Sequence, residues 1–424
     1  MTAVACGIDW AQDHHDVALV DNNGVVVASA RISNDAAGLS QVLALLAEHD
    51  PEGGGLPVAI ETSQGLLVAG LRSADRQVFA INPLAVSRYR DRYRSSRGKS
   101  DAFDAMVLAN ILRTDIEAHR PLPQDSEVLQ SLRVLTRAQQ DAAWDQVTIS
   151  NRIRTVLRMF FPAALDAFER GGRHRLDSPA ARTILTAAPT PAAAAALTAD
   201  DLASLLRTAG RQRGITAEAD KLHSLLGSEQ MRQPAAVEEA MGLQLQGLVR
   251  QLDAVCQTLG QLEHRIDEVF TAHSDAKIVT SVPGLGVQLG ARLLAEIGDD
   301  RRRFVDARAL RAFAGAAPVT RASGKSSFVH ARRAKNDRIA ATGYVWALAA
   351  VRHDPHWNAR YRARRRRRLR EGAVHPLGGL VAHLRHEPGQ GAHPGQQHPV
   401  PTQPRCGLSE QGEGPPRGST PGRP

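Results

Sequence analysis

The N-terminal segment constrains the fold most, because its apolar residues fall into short strand-like runs separated by turns and helices. Three successive strands are predicted, at Val4–Trp10, Asp16–Val20 and Val25–Ile32. The turn between the second and third strands ends in Asn-Gly, a pair that tolerates the positive φ of a hairpin. A helix near Leu39–Glu48 and two further strands, at residues 58–61 and 77–81, follow. The segment therefore predicts an α/β domain.

Three meandering strands followed by parallel strands between helices are typical of the RNase-H-like (RuvC-like) fold, which we predict for residues 1–115. In such a sheet the first and fourth strands are neighbours. Asp9 lies on the first strand and Glu61 ends the fourth, so their carboxylates should converge near one end of the sheet. Asp101 and Asp104 open a later helix at a spacing that places both on one face. Helix capping explains Asp101 well and Asp104 less well.

Grouped carboxylates of this kind predict a divalent metal site. They repel one another unless a cation neutralises them, and Mg²⁺ prefers oxygen ligands. Two ions about 4 Å apart can activate the attacking oxygen and stabilise the leaving oxygen at a phosphodiester. Asp13 and Asp16 are nearby, but a turn and the opening of the second strand favour their solvation. The predicted catalytic and Mg²⁺-binding residues are Asp9, Glu61, Asp101 and Asp104.

Basic and aromatic residues are interleaved just before the acidic pair. Guanidinium groups pair with phosphate and aromatic rings stack on bases, so this segment predicts a nucleic-acid contact rather than a solvated run of charge. A formal net charge of +9 agrees with a polyanionic partner, although a GC-rich genome gives the same composition. The predicted contacts are Arg88, Arg90, Arg92, Tyr93, Arg94, Arg97 and Lys99.

Residues 116–275 are predicted to be almost wholly helical, with interruptions at Pro162, at Gly171-Gly172 and around residues 189–196. Apolar residues from Met241 to Val269 recur at alternating steps of four and three, which places them on one seam. Such a seam indicates either a dimerising coiled coil or a helical hairpin within the chain. We expect a coiled coil that supports a homo-oligomer, and the hairpin is the alternative.

Residues 276–365 are predicted as a mostly helical domain with two phosphate-contacting features. Residues 282–287 resemble a helix-hairpin-helix turn, in which Gly284 and Gly286 expose backbone N–H groups at a helix N-terminus; a plain tight turn is the alternative. Residues 317–327 place serines in a Gly-containing loop, where a hydroxyl can attack phosphorus if cations stabilise the oxyanion. The cations in and after this loop are Arg321, Lys325, Arg332, Arg333 and Lys335.

Several other classes of protein are not indicated. No window approaches the roughly 20 apolar residues that would span a bilayer, so a membrane role is set aside. The N-terminus runs into a strand without a signal-peptide pattern, and we expect a cytoplasmic protein. Cys6, Cys256 and Cys406 lie too far apart in sequence for a CxxC clip, so zinc and redox chemistry are not suggested.

Over residues 4–365 the sequence resembles the insertion-sequence-one-ten family of RuvC-like DEDD transposases, the bridge-RNA-guided recombinases. The resemblance implies Asp9, Glu61, Asp101 and Asp104 as the metal-binding tetrad and Ser323 as a nucleophile. It further implies DNA as substrate, a structured guide RNA, and a multimer in which the RuvC-like domain of one subunit works with the serine domain of another. The motifs that carry it are Gly7-Ile8-Asp9, the strand end at Glu61, Asn82-Pro83, Lys99-Ser100-Asp101 with Asp104-Ala105, Pro283-Gly284, Ala295-Glu296-Ile297-Gly298-Asp299 and Ala322-Ser323-Gly324-Lys325.

Residues 366–424 depart from the family pattern. Relatives continue into an amphipathic helix, whereas here an arginine run gives way to Gly, Pro, His and Gln with little apolar periodicity. We predict a disordered tail and interpret the departure as a frameshift that replaced the native C-terminal helix. Loss of that helix would expose apolar surface on the serine domain, which makes a catalytically inactive copy one alternative.

Other functions fit part of the pattern. A structure-selective nuclease such as a junction resolvase needs the carboxylates but no serine, and a passive nucleic-acid-binding protein needs neither. A sugar-kinase-like ATPase shares the strand order, but residues 10–15 contain no Gly-rich phosphate loop. We therefore predict a transposase that cleaves and rejoins DNA.

Overall fold

The computed structural model describes residues 3–50, 55–93, 101–324 and 326–370, and the side chains of residues 92, 93 and 367–370 are outside this description. The chain forms two compact units, Met1–Gln124 and Asp125–Pro424. None of the helices in the described residues is both long enough and apolar enough to cross a membrane.

The first unit is built on a five-stranded mixed sheet with the strand order β3-β2-β1-β4-β5. β1 pairs antiparallel with β2 and parallel with β4, which confirms the predicted neighbours and the predicted order of strands and helices. The strands are β1 (Ala5–Trp10), β2 (His14–Val20), β3 (Val26–Ser33), β4 (Val58–Ile60) and β5 (Val78–Ala80). The helices are α1 (Ala36–His49), α2 (Leu66–Ser73), α3 (Pro83–Tyr93) and α4 (Asp101–Asp115).

Strand alternation divides the apolar side chains of the first unit between two cores. Ile8 and Ile60 pack on one face of the sheet, beneath α1 and α2. Ala5 and Ala59 lie on the other face, beneath α3 and α4. Asp9, four positions after Ala5, and Glu61, two positions after Ala59, therefore fall on the α4 side at the ends of β1 and β4.

The first unit ends nine residues later than the predicted boundary at residue 115, at Gln124. The chain after α4 returns to the sheet, where the Leu122 amide donates to the Val78 carbonyl at 2.7 Å. The guanidinium of Arg72 donates to the Pro123 carbonyl at 2.7 Å. These backbone contacts attach residues 116–124 to the α/β unit.

The second unit is organised on two long helices, α5 (Glu127–Phe160) and α11 (Ala235–Ala272). Between them the chain forms shorter helices that close a core at one end of the pair. Two of the predicted interruptions are confirmed, because α5 stops before Pro162 and Gly171-Gly172 form the turn of a small hairpin; the third, around residues 189–196, contains a short helix instead. The intervening elements are α6 (Pro162–Ala167), β6 (Glu169–Arg170), β7 (Arg173–His174), α7 (Pro179–Ala187), α8 (Pro191–Ala195), α9 (Ala199–Thr208) and α10 (Ile215–Leu226).

The apolar seam of α11 packs against α5 of the same chain. Gln146 contacts Cys256 at 3.4 Å and Gln139 contacts Glu263 at 3.0 Å, so the two helices run antiparallel. The seam residues Leu245, Leu252, Leu259 and Ile266 are buried within the unit. The helical hairpin, not the dimerising coiled coil, accounts for this pattern, and the seam gives no support for an oligomer.

The remaining elements pack at the other end of α5 and α11, where Leu129 and Phe270 share a core with Leu294. The regions predicted as separate domains, residues 116–275 and 276–365, therefore belong largely to one compact unit. The last helix reaches Arg370, so residues 366–370 are helical rather than disordered; the tail from residue 371 lies outside the described residues. These elements are α12 (Ala276–Thr280), α13 (Val287–Ile297), α14 (Ala307–Phe313), β8 (Val319–Ser323), β9 (Ser326–His330), α15 (Asp337–His353) and α16 (Pro355–Arg370).

Candidate active site

Gly7 sets the distance between β1 and α4. A Cβ built on Gly7 would lie 2.0 Å from the carbonyl oxygen of Ala105 and 2.4 Å from the amide nitrogen of Ala109. A strand glycine permits this close approach of the two backbones. Asp104 precedes Ala105, and Asp9 follows Gly7 by two residues, so this contact brings the first turn of α4 to the end of β1.

Asp9 and Glu61 are brought together by the parallel pairing of β1 with β4. Ile8 is in register with Ile60, and each is followed directly by an acidic residue. Both acidic residues are partly buried. The strand order thus places two of the predicted carboxylates side by side where the strands end.

Asp9 lies in the electrostatic field of all the other predicted carboxylates. Partial burial and, after it, the negative charges of Asp104, Glu61 and Asp101 together raise the pKa of Asp9 to about 6. Asp16 contributes a smaller effect of the same sign. The other three predicted residues thus lie close enough to Asp9 for their negative charges to oppose its ionisation.

Arg90 contacts an acidic residue of the site. Its Nε lies 2.8 Å from Oδ1 of Asp104, a residue that is only 3% exposed. The sequence predicted Arg90 as a nucleic-acid contact, but its described ion pair is with the carboxylate on the first turn of α4. A cation therefore already lies at the most buried carboxylate of the site.

The described residues include part of the rest of the basic segment. Arg88 is exposed on α3, and Tyr89 packs on the α4 side of the sheet. The backbone of Arg92 and Tyr93 completes α3, while their side chains are outside the description. The predicted contacts Arg94, Arg97 and Lys99 lie outside the described residues.

Asp16 is a fifth acidic residue that the sequence interpretation assigned wrongly to solvent. It lies directly opposite Asp9 in the β1–β2 register and is 7% exposed. Arg31 on β3 donates two hydrogen bonds to the Asp16 carboxylate, at 3.1 and 2.9 Å. The Nη2 atom of Arg31 also lies 4.0 Å from the Asp101 carboxylate. The position of β2 inside the sheet could have revealed this, because both faces of the strand are buried and neither parity places a side chain in solvent.

A possible acidic metal site lies beside these residues. Ligand atoms of His14, Asp16 and Asp101 all lie within 4.8 Å of one another. Asp101 thus borders both this group and Asp9. The donor set of one imidazole and two carboxylates suits a divalent ion but does not fix which one.

The predicted serine nucleophile lies on a β-hairpin rather than in an irregular loop. Ser323 is the last residue of β8 and pairs with Ser326, the first residue of β9. Gly324 has φ 56°, the left-handed conformation that a two-residue hairpin turn requires. Lys325, which follows Gly324 in the sequence, lies outside the described residues. Ser323 is exposed at the tip of this hairpin.

Comparison with known proteins assigns both regions to one family. A DEDD transposase family of IS110 matches residues 6–162, and the transposase IS116/IS110/IS902 family matches residues 276–362. The protein named as the mini-circle transposase for IS117 of Streptomyces coelicolor is 55% identical over 365 residues, which cover 85% of this chain and 87% of the relative. The chain belongs to the IS110 family of transposases. A 42 kDa protein of insertion element IS900 from Mycobacterium paratuberculosis is 31% identical over 83% of this chain and 86% of its own length.

Membership of the IS110 family establishes the general activity. A transposase binds DNA, cleaves it and rejoins it, so this chain is an enzyme of transposition. The first family match contains Asp9, Glu61, Asp101 and Asp104, and the second contains Ser323. A divalent metal requirement agrees with the DEDD family and with the acidic residues around Asp101.

The Gly-rich turn of this transposase has a packing role at Gly284. A Cβ there would lie 2.7 Å from the amide nitrogen of Ala350, so α15 approaches the turn too closely for a side chain. Gly284 also has φ 81°, which favours glycine. Gly286 caps α13 and is exposed, with no atom within 4 Å of an added Cβ. Gly284 therefore lies against α15, whereas Gly286 lies at an open surface at the start of α13.

A buried ion pair holds the chain that leaves the serine hairpin. Arg137 on α5 donates to both carboxylate oxygens of Glu296, at 2.7 and 3.0 Å. Asn336, which caps α15 after the hairpin, donates to the same carboxylate at 2.6 Å. Burial raises the pKa of Glu296, but the hydrogen bonds from Arg137 and Asn336 outweigh it and lower the pKa below its usual value. Glu296 therefore joins α5, α13 and α15.

The predicted cations around the hairpin differ in their surroundings. Arg321 and Arg333 are exposed. Arg332 donates to the Ala317 carbonyl at 3.3 Å, and Lys335 donates to Asp337 at 2.5 Å. Arg321 and Arg333 are thus the more accessible of these cations for phosphate.

Proposed function

We propose that this transposase acts on DNA through two centres, a Mg²⁺ site in a RuvC-like domain and a nucleophilic serine on the β8–β9 hairpin. The observation that carries the proposal is the convergence of Glu61, Asp101 and Asp104 on Asp9, where burial and then these like charges raise the Asp9 pKa to about 6. Carboxylates in such an arrangement are stabilised by a divalent cation. The five-stranded order β3-β2-β1-β4-β5 supports assignment of the RuvC-like fold.

The residues of the site fit a divalent metal. Oxygen donors from two strand ends and a helix start surround Asp9, and two arginines, Arg31 and Arg90, lie against the same carboxylates. Mg²⁺ bound by Asp9, Glu61, Asp101 and Asp104 would stabilise negative charge at the scissile phosphate. The protein's own contribution is to hold these carboxylates ionised and close together when the cation is bound.

Ser323 is the proposed nucleophile. Its Oγ attacks phosphorus as the bond from phosphorus to the leaving deoxyribose oxygen breaks. The serine hydroxyl loses its proton, and the leaving oxygen takes one up and ends as a free hydroxyl. Exposure at the hairpin tip gives DNA access to the hydroxyl, and Arg321 lies on the same strand to stabilise phosphate charge. Rejoining reverses these bonds on a second DNA end.

The family resemblance supports two further parts of the proposal. A structured guide RNA would select donor and target DNA, and the enzyme would work as a homo-oligomer that combines the acidic site of one subunit with the serine of another. The exposed cations Arg88, Arg321 and Arg333 supply charge for nucleic acid.

The serine is tested by trapping protein on DNA. Full-length protein is incubated with Mg²⁺ and a plasmid that carries the element and its flanks, and adducts that survive denaturation are counted. We expect the wild type and Ser327→Ala, on the opposite face of the hairpin, to form adducts, and Ser323→Ala to form none.

The same assay separates the alternatives. A junction-resolving nuclease would cleave DNA equally well with Ser323→Ala, which would contradict the serine mechanism. A passive DNA-binding copy would retain binding but show neither cleavage nor heat of Mg²⁺ binding in calorimetry. Loss of cleavage in Asp104→Asn with retained DNA binding would support the metal site.

A further inference from the structure

The β8–β9 hairpin is exposed on both faces. Nine of its ten strand residues are exposed, and Phe328 and Val329 are 61% and 40% exposed. A two-stranded hairpin is marginally stable alone in water. Phe328 is thus a large aromatic ring held in solvent on an element with little packing of its own.

The strand register sorts the hairpin side chains into two faces. Arg321 pairs with Phe328, and Ser323 pairs with Ser326, so these four residues share one face. His330 lies on the same face, where its ring centroid is 6.4 Å from that of Phe328. The opposite face carries Thr320, Ala322, Ser327 and Val329. The proposed nucleophile, a cation and an exposed aromatic ring therefore lie on a single surface, which we call the serine face.

We propose that Phe328 stacks on an unpaired base of the DNA strand beside the phosphate that Ser323 attacks, while Arg321 binds an adjacent phosphate. This inference rests on the proposed serine chemistry. Ser323 and Phe328 are diagonal neighbours, whose Cα atoms lie about 7–8 Å apart in an antiparallel pair. That separation is comparable to the distance between a phosphate and the base of the same nucleotide.

Charge favours a DNA strand over an apolar protein partner on the serine face. Arg321 lies directly across from Phe328, and exposed Arg333 follows the hairpin. Arginine beside an aromatic ring is the combination that binds single strands, since phosphate pairs with one and a base stacks on the other. A base inside a duplex has both of its faces covered, so an unpaired base is required.

The test uses full-length protein and a single-stranded DNA oligonucleotide with one 2-aminopurine, whose fluorescence falls on stacking. We expect Phe328→Leu to weaken binding by about five- to 150-fold, the equivalent of 1–3 kcal/mol for one stacked base. Phe328→Trp should retain affinity and quenching, and it also tests whether the hairpin tolerates substitution. Val329→Ala, on the opposite face, should bind like the wild type.

Several outcomes would overturn the base contact. One is a Phe328→Leu variant that binds and quenches like the wild type. Another is a change only in self-association, measured by light scattering, which would make Phe328 a protein interface. Tighter, equally Phe328-dependent binding of the matching RNA would reject DNA as the ligand.

The denaturation-resistant adduct between protein and DNA tests the serine chemistry separately. Ser323→Ala should lose the adduct while it keeps 2-aminopurine quenching. If the wild type forms no adduct but Phe328→Leu still loses quenching, the serine chemistry fails and the base contact stands.

Discussion

Arg90 and Asp104 form an ion pair at the centre of the acidic site, with Arg90 Nε 2.8 Å from Asp104 Oδ1. Asp104 is almost fully buried, and burial of a carboxylate is costly unless a cation compensates its charge. The guanidinium therefore neutralises part of the charge that a divalent ion would neutralise. Metal binding at Asp104 must compete with Arg90.

Replacement of Arg90 by methionine should shift this competition. The protein without metal should lose about 1–3 kcal/mol of unfolding free energy, because a buried carboxylate loses an ion pair. Mg²⁺ should bind more tightly and restore much of the loss. Thermal unfolding with and without Mg²⁺, together with calorimetry, measures both effects. Arg88→Met, exposed on the same helix, is the control; equal behaviour of the two variants would contradict a role of Arg90 in the site.

Gly7→Ala should disturb the site without touching a carboxylate. The new Cβ would meet the backbone of α4 at 2.0 Å, so the helix must move away from β1. We expect lower stability and weaker Mg²⁺ binding together, because the first turn of α4 carries Asp101 and Asp104. Gly55→Ala in the same unit meets no atom within 4 Å and serves as control. Normal metal affinity in a folded Gly7→Ala variant would show that the helix position is unimportant.

Glu296→Gln should destabilise the second unit. Arg137 would lose its charged partner, and Asn336 would lose a carboxylate acceptor, at an expected cost of about 1–3 kcal/mol of unfolding free energy. Because the pKa of Glu296 is lowered in the folded protein, its contribution is present near neutral pH and is lost as pH falls below about 4.5. Chemical denaturation of wild type and variant at pH 7 measures the cost. Identical unfolding curves would contradict the structural role of this ion pair.

Metal binding should depend on pH through Asp9. Its raised pKa of about 6 means that the folded protein holds a proton there which Mg²⁺ must displace at lower pH. Apparent affinity should therefore rise from pH 5 to pH 7 and then level. Without metal, the stability contributed by protonated Asp9 is fully present below about pH 3.8 and is lost as pH rises through about 6. Calorimetry with Mg²⁺ across this pH range, on the wild type and on Asp9→Asn, measures the dependence. An Mg²⁺ affinity of the wild type that does not change with pH would contradict this prediction.

The fold of the first unit could be predicted from the sequence because the patterns that specify its strands and turns involve residues close together in the chain. Strand alternation, the turn before Gly24 and the parallel neighbours of Asp9 and Glu61 all follow from residue pattern and strand order. The site could be predicted for the same reason, since two carboxylates end adjacent strands. Proximity of Asp101 and Asp104 to Asp9 depends instead on the tertiary packing of α4 on Gly7.

Other features were not accessible from local pattern. The spacing of apolar residues along α11 cannot distinguish a partner helix in the same chain from one in a second chain. In the structure, α5 of the same chain covers this apolar seam. Arg90 was predicted as a nucleic-acid contact because its ion pair with Asp104 depends on how α3 and α4 pack, which the local sequence does not encode. The placement of Ser323 on a strand follows from a two-residue turn whose residues also suit an irregular loop.

The central claim is that Asp9, Glu61, Asp101 and Asp104 together bind a divalent metal. Titration of the full chain with Mg²⁺ or Mn²⁺ by isothermal calorimetry near pH 7.5 tests it most directly. The site variant is Asp104→Asn, and the control variant is Asp13→Asn, which changes an exposed carboxylate shortly after β1. We predict binding by wild type and Asp13→Asn, and affinity lower by about 10–100-fold or more in Asp104→Asn. Absence of binding by the wild type, or equal affinity in Asp104→Asn, would contradict the claim.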